Sequence, residues 1–156
     1  MSYILGERED RCIFCAAGAD SPDEENLVLS RASKCLVMMN RFPYNNGHIM
    51  LAPLRHVGTL EELEDGEGLE LMQMVRLSLK VLRAELNPEG FNVGCNLGRT
   101  AGAGIADHVH LHIVPRWNGD TNFMPVLSET KVINEALDQT YGKLRRRFSS
   151  SGDGAL

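Results

Sequence analysis

The sequence contains no apolar run approaching the ~20 residues that a membrane-spanning helix needs. Its first residues, MSYILGEREDR, lack the basic start and long apolar stretch of a secretory signal, so a cytoplasmic location is expected. Positive charge is not in excess either. The formal net charge is -5, which removes the general electrostatic attraction on which nonspecific binding to a nucleic-acid polymer relies. No internal repeat or low-complexity stretch precedes the final residues. Only one Cys-x-x-Cys pair is present, Cys12 with Cys15, so a two-pair zinc ribbon is excluded. At 156 residues the chain suits one globular core. The expectation is a single domain over residues 1–148, with SSSGDGAL at 149–156 as a disordered tail.

What the sequence does contain is a regular succession of short apolar runs. Residues 26–31 and 34–39 read as a hairpin, 40–46 (NRFPYNN) as a loop, and 47–53 (GHIMLAP) as a further strand closed by its proline. Leu69, Met72, Val75, Leu79, Leu82 and Leu86 recur at helical spacing, and Asn87-Pro88 with Gly90 ends that helix. A shorter helical turn is expected near Thr59, where Glu61 and Glu62 suit a helix start. Residues 91–97 return to strand character, and 98–107 (GRTAGAGIAD) form a small-residue loop. Residues 108–114 (HVHLHIV) alternate perfectly up to Pro115. A second helix is expected over 130–147, with Ile133, Leu137, Tyr141, Leu144 and Phe148 on one side and Arg145-Arg146-Arg147 at its C-terminal end. Strands in sequence with helices set apart indicate an α+β fold, an antiparallel five-stranded sheet with two main helices.

Three of the five histidines, His108, His110 and His112, fall within five residues. On a strand they share one face at about 6.6 Å per step, while Val109, Leu111 and Ile113 take the other. A row of buried imidazoles costs free energy unless each ring finds partners, so the pattern points to a site more than to an inert polar cluster. Two such histidines could alternatively ligate a catalytic metal. The loop that feeds this strand contains Gly98, Gly102 and Gly104 with Ala101 and Ala103. Such a backbone curls tightly and presents N–H groups suited to phosphate oxygens. Cys12 and Cys15 are spaced to grip one side of a tetrahedral zinc, with histidines as the available remaining ligands. A redox role is the weaker reading, because no βαβ unit surrounds the pair. Cys35 and Cys95 lie in apolar stretches and read as small buried hydrophobes.

From CIFC through GHIMLAPLRH to HVHLHIVPR the chain resembles the histidine-triad (HIT) superfamily of nucleotide hydrolases and transferases. The stretch GRTAGAGIADHVHLHIVPRWNGDTNFMPVL resembles the branch of diadenosine tetraphosphate phosphorylases and related hydrolases. The resemblance implies that His110 is a nucleophile forming a covalent nucleotidyl-histidine and that His112 contacts phosphate and supports that intermediate. It implies a structural zinc on Cys12, Cys15, His56 and His108. It also implies nucleotide contacts from Asn40 (ribose), His48 (beside the triad), Asn96 (phosphate) and the amides near Ala103, Gly104 and Ile105. Trp117 reads equally as a base-stacking residue and as a core or dimer contact, and the branch likeness tips it toward the ligand. The implied substrate is a dinucleoside polyphosphate, with adenine as the expected base, or a related nucleotide. Water or inorganic phosphate is the acceptor, and a homodimer is expected. A zinc-stabilised nucleotide-binding module with little turnover is the reading from a different class.

Overall fold

The computed structural model describes residues 12–19, 21–121 and 135–152. Element order is α1 (Ile13–Gly18), β1 (Val28–Arg31), β2 (Cys35–Met39), β3 (Ile49–Pro53), a 3-10 turn (Leu60–Glu62) and α2 (Asp65–Leu86). There follow β4 (Gly90–Cys95), a second 3-10 turn (Arg99–Ala101), β5 (Leu111–Arg116) and α3 (Leu137–Gly152). All neighbouring strands pair antiparallel, in the spatial order β1-β2-β3-β5-β4. The α+β expectation is met, and all five anticipated strands are present. No helix among the described residues is long and apolar enough to cross a membrane.

The two-residue alternation of the strands separates two apolar clusters. Cys35, Val37, Met39, Ile49, Leu51 and Ile113 face α2 and α3. Leu36, Met38, Met50 and Ala52 face the other way, against Phe14 and Ala17 of α1. That short helix, spanning the Cys-x-x-Cys segment, was not anticipated from the sequence, because six residues are too few to show a helical period.

Helix α2 starts with a capping box in which the Glu67 carboxylate accepts the Glu64 N–H at 2.8 Å. It ends on Asn87, whose backbone is left-handed at φ 46°. Its inward stripe differs from the expected one. Leu71, Val75, Ser78, Val81 and Leu82 are buried, whereas Leu69 and Met72 are 62% and 56% exposed. Apolar residues occur on more than one side of this helix, so periodicity alone could not choose the side that meets the sheet.

Helix α3 begins at Leu137 rather than 130, since residues 135 and 136 are not helical. Residues 130–134, with Ile133, lie outside the described residues. The helix also runs on to Gly152, so 149–152 form its last turn and not part of a tail. The Ser149 and Ser150 hydroxyls donate back to the carbonyls of Arg145 and Arg147 in the preceding turn. Residues 153–156 are outside the description. Because the helix continues, the arginine cluster is not a C-terminal dipole partner. Arg145 instead pairs with Asp23, and Arg147 with Glu85.

The histidine strand is shorter at its start and longer at its end than expected. Pairing begins at Leu111, because the Val109 N–H is taken by the Val57 carbonyl at 2.7 Å and lies outside the ladder. Pro115 sits inside β5, opposite Phe91. Its carbonyl accepts from the Asn45 side chain on the β3 side of the strand, beyond the last β3 partner, so the missing proline N–H breaks no ladder bond.

Candidate functional site

The site lies on the α1 side of the sheet, where β5 replaces hydrocarbon with imidazole. His110 is buried, and its ring lies 4.8 Å from that of His112, edge-on, and 4.7 Å from that of Phe14. His48 is fully buried and stands 5.1 Å from the His112 ring. His108 continues the row toward His56, ring to ring at 4.9 Å. Although His108 and His110 precede the strand proper, the three triad rings still form one continuous row.

The hydrogen bonds assign a different nitrogen to work on each ring. A carbonyl can only accept, so His110 Nδ1–H donates to the His108 carbonyl at 2.8 Å. In the neutral ring this leaves the lone pair on Nε2. His108 donates through Nε2–H to the Pro53 carbonyl at 2.8 Å, which leaves its lone pair on Nδ1. The Tyr44 N–H donates to His48 Nδ1 at 3.0 Å, so the proton of neutral His48 sits on Nε2, which donates to His112 Nδ1 at 2.9 Å. The remaining proton of neutral His112 is therefore on Nε2. One backbone amide thus fixes two rings in series.

Burial disfavours the charged form of the three triad rings. Desolvation pulls His110 below the ordinary histidine value, opposed by its bond to the His108 carbonyl. His112 is brought down to about 4 by burial and secondarily by His110 beside it. His108 is lowered chiefly by burial.

Cys12, Cys15, His56 and His108 bring one donor atom each to within 4.8 Å of one another. His108 Nδ1 lies 3.3 Å from Cys12 Sγ, 3.6 Å from Cys15 Sγ and 3.2 Å from His56 Nδ1, and Cys15 Sγ lies 3.1 Å from His56 Nδ1. Bond lengths of about 2.3 Å to sulfur and 2.0–2.1 Å to nitrogen put the ligand atoms of a tetrahedral zinc about 3.3–3.8 Å apart. Two thiols and two imidazoles at nearly that spacing, one imidazole already holding its lone pair inward, suit zinc well. His110 belongs to no such cluster among the described residues, so the alternative of two triad histidines on one metal is not what the geometry favours.

The remaining candidate residues are more scattered. Asn40 lines a cavity of about 130 Å³ with Ile13, Leu27, Met38, Phe42 and Met50, and its Oδ1 accepts the Phe42 N–H at 2.9 Å. Asn96 donates to the Gly102 carbonyl at 3.4 Å, across the loop before the triad. That loop needs glycine at 98 and 102, where φ is 80° and 89°. The Ala103 N–H, one of the expected phosphate donors, donates to the Gly98 carbonyl at 3.3 Å. Among the described residues the Gly104 and Ile105 amides have no protein acceptor. Trp117 is half-buried at the far end of β5, and the Asp120 N–H closes a turn onto its carbonyl at 3.2 Å. Cys35 is buried as expected, but Cys95 is only partly so, at the end of the edge strand. Phe14 and Tyr44, both against the histidine row, carried no signal of their own: one reads as core within CIFC, the other acts through its backbone and exposed ring.

Residues 21–119 match the HIT domain family. The chain is 45% identical over 118 residues to an AP-4-A phosphorylase of Mycobacterium tuberculosis. That match covers 76% of this chain and 60% of the relative, so the chain spans less than two thirds of that protein's length. It is 33% identical over 108 residues to an adenosine 5'-monophosphoramidase of Schizosaccharomyces pombe, covering 69% of this chain and 75% of that one. Among solved structures, a Zn-bound histidine triad family protein from Mycobacterium smegmatis superposes with a TM-score of 0.73 at 21% identity, covering 94% of this chain and 99% of that chain. This last likeness concerns the fold.

Proposed function

The chain belongs to the HIT family, and from that footing we propose that it cleaves a dinucleoside polyphosphate, or a related nucleotide, at the α-phosphate. One observation carries the reading: His110 Nδ1–H donates to the His108 carbonyl, which in the neutral ring leaves the lone pair on Nε2, and the ring stands 4.8 Å from that of His112, whose own proton falls on Nε2. Nε2 attacks phosphorus, an Nε2–P bond forms, and the bond from that phosphorus to the bridging oxygen breaks. The remaining polyphosphate leaves with the bonding electrons. His112 donates to a phosphate oxygen as charge develops there, assisted by the free amides of Gly104 and Ile105. Water or inorganic phosphate then displaces His110 from phosphorus and gives up a proton to solvent. Cys12, Cys15, His56 and His108 would hold zinc as a closed four-ligand site, which supplies structure, with no open position for a reacting water.

The acceptor is read from products. With diadenosine tetraphosphate, ADP plus ATP appearing only when phosphate is present denotes phosphorolysis, and AMP plus ATP denotes hydrolysis. Nucleotide binding with no product and no trappable adduct would replace this reading with that of a binding module. The AP-4-A phosphorylase relative at 45% identity supports a dinucleotide substrate.

A cytoplasmic homodimer completes the proposal. Zinc-binding thiols persist where the surroundings are reducing. The edge of β1 is capped by α3, since the Tyr141 hydroxyl and Arg145 donate to the Val28 and Leu29 carbonyls. Strand β4 is the other edge, carries exposed Val93, and comes from a chain whose α2 also exposes Leu69 and Met72. An open edge and unpartnered apolar side chains suit pairing with a second copy. Sedimentation analysis should give twice the mass of the 17.3 kDa chain.

A further inference from the structure

Phe14 stands between the two cysteines of the metal cluster, near the start of α1, and is 1% exposed. Its ring lies 5.1 Å from the His108 ring, tilted by 51°, and 4.7 Å from the His110 ring, tilted by 37°. One side chain therefore touches a residue of the metal set and the attacking imidazole together. The two cysteines approach His56 and His108. Phe14, between them in the chain, reaches His110.

The ring needs such a neighbour. The bond from His110 Nδ1–H to the His108 carbonyl fixes one corner of the imidazole, and one hydrogen bond alone leaves the tilt of the ring about it unset. His112 meets the ring edge-on. A phenyl ring packed on the imidazole closes that freedom without offering a hydrogen bond, so it does not compete for the Nε2 lone pair. It also excludes water from that side. Phe14 in turn is held by its own flanks, because Cys12 and Cys15 sit at the cluster and Ala17 is buried against the sheet.

Resting on the reading of His110 as nucleophile, we infer that Phe14 is a positioning residue that couples the metal cluster to the attacking imidazole. Metal bound at Cys12, Cys15, His56 and His108 fixes α1 and the His108 carbonyl. Through Phe14 and that carbonyl it holds His110 in the orientation that leaves Nε2 free. A misplacement of about 1 Å at a reacting group can cost around 100-fold in rate, so a loosened ring should show in the chemical step more than in binding.

The test uses the zinc-loaded full chain labelled with ¹⁵N in its histidines, as wild type, Phe14→Ala and Phe14→Leu. Wild type should show His110 as a single Nδ1–H tautomer in two-bond ¹⁵N–¹H spectra. Phe14→Ala should show an averaged pattern and form the nucleotidyl adduct from diadenosine tetraphosphate about 10- to 100-fold more slowly in a single turnover. Zinc content and the dissociation constant for AMP should stay within about threefold, the margin that separates a loss in chemistry from one in binding. Phe14→Leu, which fills much of the space without the flat face, should fall between. Chelation of the wild-type metal should move the His110 pattern in the same direction as Phe14→Ala. A metal-loaded Phe14→Ala protein with wild-type spectra and rate overturns the inference. Should that variant lose its zinc, a metal-loaded Phe14→Leu protein identical to wild type in both readouts overturns it instead. A His110→Gly protein that still forms the adduct would remove the nucleophile reading, yet the tautomer comparison would stand, because the spectra require no turnover.

Discussion

On the helix side of the sheet, Val37, Met39, Ile49, Leu51 and Ile113 meet apolar residues of α2 and α3. On the α1 side β2 and β3 contribute hydrocarbon, Leu36, Met38, Met50 and Ala52, which gives way to His112 on β5 and to His110 just before it. The first side is held chiefly by apolar burial, which has no direction and tolerates repacking. The second includes buried rings that each require a particular partner on a particular nitrogen, and it gains from that constraint a lone pair, a donor and four side chains of metal-ligating type in fixed places. One sheet thus separates stability from chemistry by the parity of its residues.

The sharpest break of that contrast is His110→Ala. It should lower the proposed turnover by at least about 1,000-fold, the scale for loss of a nucleophile, while nucleotide binding and thermal stability change little. Near-normal turnover in a steady-state assay would end the nucleophile assignment. Leu82→Ala, on the helix side and fully buried, should do the reverse. Unfolding in urea should show a loss of about 2–5 kcal/mol, with the rate of the folded protein unchanged below its transition.

Acid should separate the two sides by pH window. His112 has its folded pKa lowered to about 4, so between the ordinary histidine value of about 6.5 and 4 the unfolded chain binds more protons, and stability falls as pH drops through that range. Glu67, at the start of α2, is lowered to about 2, chiefly by the Arg55 side chain bonded to it. Its contribution is complete above about 4.5 and is lost as pH falls toward 2. His112→Gln should flatten the upper part of a stability-against-pH curve, and Glu67→Gln the lower part. If either substitution flattens the other's window, the assignment is wrong.

The smallest effect concerns a flaw on the helix side. The Ser78 hydroxyl is buried in α2 with no hydrogen-bond partner among the described residues, so Ser78→Ala should stabilise the protein by about 1 kcal/mol. A loss of stability in thermal unfolding would show that the hydroxyl is satisfied after all.

Much of this organisation was legible in the residues, and the failures have physical causes. The strands were readable because a period of two survives in five or six residues. The inward side of α2 was not, because Leu69 and Met72 extend the apolar pattern around the helix and only the sheet's position selects Leu71, Val75 and Leu82. Cys12 and Cys15 read as half of a metal-ligand set by type and spacing, and the fold brings them together with His56 and His108. The amide of Ala103, expected at the phosphate, donates to the Gly98 carbonyl, a choice that depends on how two left-handed glycines turn the loop.

By itself the sequence determined the alternation that sets three histidines on one side of a chain segment, the donor types suited to zinc, and the order of strands and helices, because each follows from side-chain chemistry and local spacing. Tertiary structure decided which nitrogen carries the proton on His108 and His112, whereas the bond that orients His110 runs to a carbonyl only two residues back. The acceptor for His108 is the Pro53 carbonyl, and the proton on His112 is set through His48 from the Tyr44 amide. Those partners lie 55 or more residues away along the chain from the rings they control. A ring's tautomer belongs to its neighbours, and only folding supplies them.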